Sequence, residues 1–287
     1  MNPDEKLHAF ARDIILKKEL SSLDPDFVMD KLSAVLALQK FRKAKQKFDE
    51  SDYKQFSRSK EHDAIVKEVR VDLRKLYGVF INNDYGKRKK LLEELKEDSS
   101  VEAHNKLLKL HRSSNERLGS YGEAYGQIFE ITGKPKKILD LACGLNPLSY
   151  PYLECEPEYI ASDLSEEDMK FIDAYFKIMK IKGKAVFLDL VKAKEEELAK
   201  LSKDVDITFL FKALDSMEFV EWNSSKRIIS SLKSKWIVVS FPTKSIGGKK
   251  PIKKEKRGWF EKFLEEKELT STIFELEDEI FYVIKNN

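Results

Sequence analysis

Short β-rich runs alternate with amphipathic helical stretches in the part of the sequence that follows residue 135. The runs are nearly continuous apolar, which is typical of strands that are covered on both faces of a sheet. Alternation of this kind predicts a parallel, doubly wound α/β sheet. Two further strands near the end are expected to form an antiparallel hairpin. The predicted strands are 137–141, 159–163, 185–189, 206–211, 236–241, 271–276 and 280–284.

The sequence up to about residue 118 has a helical pattern instead. Asp24 followed by Pro25 is typical of an N-cap and a proline in the first helical turn. Further along, Ile65, Val69 and Leu73 recur at the spacing that one face of a helix requires. The predicted domains are an all-α domain over 1–105 and an α/β domain over 106–287.

Basic residues are concentrated in the helical part. The whole chain has a net formal charge of only +3, but residues 40–90 contain 16 Lys or Arg against 8 Asp or Glu. Lys67, Arg70 and Arg74 share one helical face. A solvated surface would explain the charge of any single helix. An excess sustained over some fifty residues favours binding to a polyanion, because each phosphate contact releases counterions.

The first predicted strand leads into a tight turn with a single glycine. Gly144 can adopt a positive φ and lets a ligand approach the backbone. Asn146 is suited to capping the next helix, and Pro147 to its first turn. A dinucleotide site would carry several glycines around its pyrophosphate. The turn therefore favours a ligand without phosphates.

Acidic residues end the next two predicted strands. In a doubly wound sheet, ligands bind beyond the carboxyl ends of the strands. Asp163 could accept hydrogen bonds from both hydroxyls of a ribose, and Asp189 from an adenine amino group. The pattern favours S-adenosylmethionine as the ligand. A Rossmann-like domain whose acids only cap its loops is the alternative.

The residues after the fourth strand restrict the methyl acceptor. The segment 211–218 lacks the Asp/Asn-Pro-Pro-aromatic loop of enzymes that methylate exocyclic amines. Methylation of a pyrimidine carbon needs a thiolate nucleophile, and neither Cys143 nor Cys155 is suitably placed. The remaining candidate methyl acceptors are a guanine N7 and a hydroxyl that is activated by a base. Lys212 and Asp215 are the candidate bases for the hydroxyl.

Three blocks of sequence resemble a known family. The segments HRSSNERL at 111–118, ITGKPKKILDLACGLNPL at 131–148 and SFPTKSIGG at 240–248 are similar to the signature blocks of the aminoglycoside-resistance 16S rRNA (guanine-N7) methyltransferases. Their order and spacing are also similar. The resemblance implies a class I Rossmann-like methyltransferase domain that uses S-adenosylmethionine. It also implies that the substrate is a decoding-site guanine of 16S rRNA in the 30S subunit.

The resemblance implies roles for single residues as well. Arg117 would bind the carboxylate of the cofactor's methionine moiety. Without the resemblance, an arginine at this position would more often be a surface residue at a helix end. No catalytic base is expected, since N7 carries no proton. The implied cofactor-binding residues are Ser114, Arg117, Ala142, Gly144, Asp163, Asp189 and Leu190. The implied target-base loop is Ser240, Phe241, Pro242 and Thr243, and the RNA-binding residues are Lys67, Arg70, Arg74, Lys244 and Lys249.

The chain also departs from the family. Lysines and an arginine at 249–257 replace the family's Gly-Met and Asn-Tyr pairs, and Leu214-Asp215 replaces a Leu-Pro. The target nucleotide therefore stays open, as does the choice between drug resistance and a housekeeping modification. Two other classes of function are compatible with the sequence. One is a methyltransferase for a ribose hydroxyl or a small molecule, and the other is a non-catalytic RNA-binding protein.

Several sequence features concern the environment of the protein. No run of 18 apolar residues occurs, and the first ten residues lack the apolar segment of a signal peptide. Two cysteines suit a reducing compartment, and the four scattered histidines have no metal-ligand spacing. We therefore expect a cytoplasmic monomer that binds neither a membrane nor a metal.

Overall fold

The computed structural model describes residues 1–245, 250–252 and 257–286. Contacts divide this chain into two compact units. The first comprises residues 1–83 together with 165–167, and the second contains the rest. Residues 84–105, which the sequence-based division assigns to the helical domain, thus group by contacts with the sheet. The functional boundary after residue 105 stays a prediction.

The first unit is built from helices, as the sequence pattern predicts. Asp24 accepts a hydrogen bond from the amide of Asp26 and is the N-cap that was expected before Pro25. Ile65, Val69 and Leu73 are buried, as their spacing predicts. The helices are α1 Pro3–Ile15, α2 Pro25–Leu36, α3 Arg42–Glu50, α4 Tyr53–Phe56 and α5 Lys60–Leu76, with 3-10 turns at Lys18–Leu20, Gln39–Phe41 and Gly78–Phe80.

Arg70 and Arg74 on α5 have partners inside the first unit. The guanidinium of Arg70 donates from Nε to the carbonyl oxygen of Ile14 at 2.9 Å and from Nη2 to that of Asp13 at 2.7 Å. It thus satisfies carbonyls in the last turn of α1, which have no intrahelical partner. Arg74 is ion-paired with Glu19 at 2.8 Å, whereas Lys67 is exposed. Of this predicted RNA-binding trio, two side chains therefore also have structural contacts.

The second unit contains one seven-stranded sheet in the order β3-β2-β1-β4-β5-β7-β6. The first five strands are parallel, and β7 pairs antiparallel with both β5 and β6. This confirms the mostly parallel α/β sheet with its C-terminal hairpin. The strands are β1 Lys137–Leu141, β2 Glu158–Asp163, β3 Gly183–Phe187, β4 Ile207–Phe211, β5 Trp236–Pro242, β6 Ser271–Leu276 and β7 Glu279–Lys285.

Strand β3 differs from its prediction. It ends at Phe187 instead of Asp189, and its residues are exposed or half-buried instead of covered on both faces. The reason is its position at the edge of the sheet, where it pairs with β2 alone. Asp189 consequently lies in the turn beyond the strand, where its Oδ1 accepts from the amide of Val191 at 3.1 Å.

Helices cover both faces of the sheet. On one face, Leu139 and Ile237 belong to a core that includes residues of α11, α13 and α14. On the other face, Tyr125 of α9 stacks on Phe209. None of the described helices has the length and apolar character that a membrane span requires. The helices are α6 Arg88–Glu94, α7 Val101–Leu108, α8 Arg112–Glu116, α9 Tyr121–Thr132, α10 Glu166–Ile178, α11 Glu195–Ser202, α12 Leu214–Val220, α13 Ser224–Ser231 and α14 Gly258–Glu266.

Neighbouring strands β1 and β4 form the switch point of the sheet. The chain builds outward from β1 through β2 to β3, then returns to place β4 on the other side of β1. Connections from these two strands therefore leave in opposite directions. A crevice opens between them at their carboxyl ends, which is where ligands bind in sheets of this topology.

Replacing Arg70 with alanine should lower the free energy of unfolding by about 1.5–3 kcal/mol, because charge-assisted hydrogen bonds to two carbonyls are lost. The matched change Lys67→Ala, one turn earlier on an exposed position, should alter it by less than about 0.5 kcal/mol. Urea unfolding followed by circular dichroism compares the two. Equal stabilities would contradict the structural role of Arg70.

Candidate functional site

The turn after β1 has two residues with positive φ. Ala142 has φ of 51° and Gly144 has φ of 50°. A Cβ at Gly144 would also come within 2.8 Å of Cε1 and Nε2 of His111. The amide of Gly144 donates to Oδ2 of Asp163 at 2.9 Å, which joins the turn to the end of β2. Position 144 therefore requires glycine both for its backbone conformation and for the adjacent imidazole.

Asn146 has a different role from the helix cap that the sequence suggested. The N-cap residue of the 3-10 helix Asn146–Leu153 is Leu145, so Asn146 is the first residue of the helix, and Pro147 lies in its first turn as expected. Oδ1 of Asn146 accepts from Nη1 of Arg117 and the hydroxyl of Tyr121, both at 3.1 Å. Its Nδ2 donates to Oδ2 of Asp140 at 2.9 Å. The amide is buried, so these three partners determine its orientation.

Arg117 lies in the interior and is only 1% exposed, so the alternative of a surface arginine is wrong. Its Nε donates to Oε2 of Glu279 at 3.0 Å and its Nη2 to Oε1 at 2.6 Å. The guanidinium also lies over the ring of Phe211, 4.6 Å from its centroid. Such bidentate pairing fixes the plane of the guanidinium.

Glu279 is the central acceptor of the site. Its carboxylate lies 3.3 Å from Nζ of Lys212 and accepts a hydrogen bond from the hydroxyl of Ser240. Burial by itself would raise the pKa of Glu279, but the charges of Arg117 and Lys212 outweigh it and hold this pKa below its ordinary value. The sequence analysis missed Glu279. It is the last of three consecutive acidic residues at a hairpin turn, a pattern that is typical of a solvent-exposed turn.

Lys212 follows β4 with a positive φ of 53°. Its amide donates to the carbonyl oxygen and the hydroxyl of Ser240, both at 3.0 Å. Its ammonium is buried and lies 3.0 Å from Oε2 of Glu116. Nζ of Lys212 therefore lies between the carboxylates of Glu116 and Glu279. Asp215, the other candidate base of the hydroxyl alternative, is exposed at the start of α12.

Asp140 lies beneath this cluster, within β1. Its Oδ2 accepts from the hydroxyl of Tyr159 at 2.7 Å as well as from Asn146. Burial raises the pKa of Asp140 to about 7, although both hydrogen bonds oppose that shift. The carboxyl group is therefore a buried acid that titrates near neutrality and is linked through Asn146 to Arg117.

The proposed cofactor acids lie at the same edge of the sheet. Asp163 ends β2, and its Oδ1 accepts from the amide of Leu164 at 2.7 Å. Asp189 is half-buried beyond β3. Leu190 and Ser114 are both buried, and Leu190 belongs to the sheet core. The structure thus brings the turn, Asp163 and Arg117 together around the carboxyl ends of β1 and β2.

The predicted target-base loop begins later than expected. Ser240 and Phe241 are interior residues of β5, where Phe241 packs against Phe260 and Tyr282, so neither side chain faces outward. Pro242 and Thr243 are half-buried at the end of that strand.

Two predicted RNA-binding lysines lie in the segment after β5. Lys244 is half-exposed and ion-paired with Asp278 at 2.5 Å. Lys249 lies outside the described residues.

Cys143 sits inside the turn and is buried. Burial raises the pKa of its thiol well above the ordinary value. A thiolate nucleophile, which the methylation of a pyrimidine carbon needs, is thus disfavoured here. The structure supports the exclusion of that reaction.

Comparison with known proteins identifies relatives over most of the chain. The model of the family "Ribosomal RNA methyltransferase (FmrO)" matches residues 53–283. A 16S rRNA (guanine(1405)-N(7))-methyltransferase of Micromonospora rosea is 32% identical over 231 residues, which are 76% of this chain and 81% of the relative. A protein of the same name from Frankia casuarinae is 28% identical over 239 residues, 80% of this chain and 82% of the relative.

Solved structures are similar as well. The 16S rRNA methyltransferase RmtF, in complex with S-adenosyl-L-homocysteine, superimposes with a TM-score of 0.78 at 23% identity, and the match covers 100% of both chains. The 16S rRNA methylase ArmA gives a TM-score of 0.55 at 27% identity, over 70% of this chain and 98% of ArmA. The RmtF likeness extends the agreement in fold to the whole chain.

Removing the carboxylate of Glu279 should strongly destabilise the second unit. Glu279→Ala leaves the charges of Arg117 and Lys212 buried without their shared partner, and we expect a loss of about 3–5 kcal/mol in the free energy of unfolding. Glu275→Ala, on the exposed face of β6, is the matched control and should change it by less than about 0.5 kcal/mol. Urea denaturation measures both, and similar losses would refute the central role of Glu279.

The raised pKa of Asp140 predicts a stability that depends on pH. The folded state binds this proton more tightly than the unfolded state, whose ordinary pKa is 3.8. The stabilisation is therefore complete below about pH 4, is lost as the pH rises, and levels off above about pH 7. Asp140→Asn should remove this dependence. Between pH 5 and 7, its stability relative to the wild type should rise by up to roughly 1.4 kcal/mol per pH unit; a constant difference in urea unfolding would contradict the assignment.

Proposed function

This chain belongs to the FmrO family of ribosomal RNA methyltransferases, and we propose that it transfers a methyl group from S-adenosylmethionine to N7 of a guanine in 16S rRNA. The observation that carries the proposal is the buried cluster of Arg117, Glu279 and Lys212 next to the turn at 142–144. This cluster joins the carboxyl ends of the central strands, where a ligand binds in this topology. It supplies charge for positioning but no base.

The side chains around the turn suit the methyl donor. A carboxylate oxygen can accept two hydrogen bonds, so the contacts of Asp163 with backbone amides are compatible with binding both ribose hydroxyls. We assign the guanidinium of Arg117, which is linked through Asn146 to the turn, to the carboxylate of a methionine moiety, with Ser114 nearby in sequence. Ala142 and Gly144 would approach the ligand through their backbone. We assign Asp189 and Leu190 to the adenine end.

The chemistry requires alignment more than proton transfer. S-adenosylmethionine would supply an electrophilic methyl group. The N7 lone pair of guanine would form the new bond as the sulfur–methyl bond breaks, with S-adenosylhomocysteine as the leaving group and no proton lost from N7. The task of the chain is therefore to hold the two reactants in line and exclude water, which can contribute roughly 7–11 kcal/mol. The ion-paired state of Lys212 agrees with this assignment. A ribose hydroxyl would need a base that this cluster does not provide.

We place the reaction on the 30S subunit, with a cytoplasmic monomer as the active form. The basic excess of residues 40–90 would attract the rRNA backbone, and the exposed Lys67 is the residue of its trio best placed for a phosphate contact. Lys244 would add a contact just beyond β5, and we assign Lys249 to RNA binding as well. Arg70 and Arg74 would contribute long-range charge while they hold α5 in place.

The methylated position tests the proposal directly. Purified 30S subunits and naked 16S rRNA are incubated with the protein and labelled S-adenosylmethionine, and the product RNA is treated with borohydride and aniline. Because N7-methylation creates a cationic purine, we expect strand cleavage at one guanine, with 30S as the better substrate.

The variant Asp163→Ala tests the cofactor site separately. It should bind the cofactor about ten- to a hundred-fold more weakly, because ribose hydroxyls lose their acceptor. Label found on a ribose hydroxyl or an exocyclic amine would refute the proposed chemistry. Unchanged cofactor affinity of the variant would refute only the role of Asp163.

A further inference from the structure

Two aromatic side chains are unusually exposed near the end of α12. Trp222 is 73% exposed and Phe219 is 49% exposed. Phe219 lies in the last turn of α12, and Trp222 follows three residues later, just after the extended C-cap residue Glu221. Tryptophan is highly buried on average, and exposure to this degree indicates a surface for a partner.

The turn that carries Trp222 is held in one conformation. The carboxylate of Glu218 accepts hydrogen bonds from the amides of Asn223 and Ser225, both at 2.9 Å. Asn223 has a positive φ of 66°, a conformation that asparagine tolerates better than most residues. Ser225 is buried beneath it. The indole is therefore presented by a pre-organised turn, which lowers the entropy lost when it binds a partner.

The segment 212–227, which contains both aromatic residues, is anchored at its two ends to the carboxyl edge of the sheet. Lys212 begins it, with its amide bonded to Ser240. Arg227 ends it, with its guanidinium donating to the carbonyl oxygens of Val191 at 2.5 Å and Ala193 at 2.6 Å, just beyond β3. Trp222 lies between these anchors. The exposed pair is therefore on the rim of the edge that holds the proposed cofactor site.

We propose that Trp222, together with Phe219, is a stacking platform for an unpaired base of the RNA substrate. This inference rests on the proposed function. Guanine N7 lies in the major groove, which in A-form RNA is too deep and narrow for side chains to enter. The RNA at the site must therefore have unstacked bases, and such bases stack on exposed aromatic rings.

The charge around the platform favours stacking over phosphate binding. Residues 212–227 contain three basic and three acidic side chains, so the segment has no net charge. Counterion release therefore contributes little there. A nucleobase needs no such charge, because every base offers a π-face to an indole. A protein docked on the same ring is the other occupant, and the test below separates the two.

The experiment compares four variants of the full chain, one of which, Lys67→Ala, tests the salt dependence. Trp222→Ala removes the ring, and Trp222→Tyr keeps an aromatic face. Ile273→Ala, which truncates an apolar side chain that is 49% exposed on β6, is the matched control. For each variant, we measure affinity for purified 30S subunits and for naked 16S rRNA over a range of salt concentrations, and affinity for S-adenosylmethionine by calorimetry. Cofactor affinity also reports that the variant is folded.

We expect Trp222→Ala to bind 30S subunits roughly ten- to a hundred-fold more weakly. The affinity of Trp222→Tyr for 30S subunits should stay within a few-fold of that of the wild type, and the affinity of Ile273→Ala should equal it. The slope of log affinity against log salt concentration should not change for Trp222→Ala. Lys67→Ala should reduce the slope by about 1, which corresponds to the loss of one phosphate contact. Cofactor affinity should be unchanged in all variants.

Several results would overturn the platform. One is an unchanged affinity of Trp222→Ala for 30S subunits, and another is an equal loss of that affinity in Trp222→Ala and Trp222→Tyr. The others are a smaller salt slope or a weaker cofactor affinity in Trp222→Ala. A loss of affinity in Trp222→Ala for 30S subunits but not for naked 16S rRNA would assign the ring to a protein instead. If the wild type methylates 30S subunits and Trp222→Ala binds them equally well, only this inference fails. If the wild type neither binds nor methylates them, the proposed function fails with it.

Discussion

The ion pair between Arg117 and Glu279 is the interaction on which the carboxyl edge of the sheet depends. Both groups are buried, and each would be strongly unfavourable without the other, since a lone charge in the interior has lost its hydration. The pair extends to Lys212 and Glu116, and Ser240 and Asn146 complete its hydrogen bonds. Five segments that are distant in sequence are thereby held at one point. Their geometry is set before any ligand arrives, as positioning catalysis requires.

Backbone strain is located at the same edge. Ala142 and Lys212, the residues that follow β1 and β4, both have positive φ although neither is glycine. Such conformations are unfavourable by about 1–3 kcal/mol each and persist only where the surroundings enforce them. Lys212 is held by its amide contacts with Ser240 and by two carboxylates. Both residues thus lie at the carboxyl ends of the two strands that form the switch point, where ligands bind in this topology.

Much of the fold could be predicted because its signals are local. Strands β1 and β6 have the predicted bounds, and α5 buries the predicted face. The period of the hydrophobic pattern suffices for these elements. Strand β3 was misplaced by two residues because an edge strand needs no apolar faces, so its pattern is weaker. In the site, the glycine of the turn and the acid at the end of β2 were identifiable, since strand, turn and capping signals lie within a short segment.

Sequence alone determined the elements, their order and the turn that faces the crevice, because hydrophobic period, glycine and capping residues act over a few positions. The resemblance of three blocks pointed to the family for the same reason. Only the tertiary structure determined that Arg117 faces Glu279, which is 162 residues away, and that Arg70 caps α1. It also determined that Ser240 and Phe241 point into the interior. A side chain's partner across such separations depends on how the elements pack, and no local pattern records that packing.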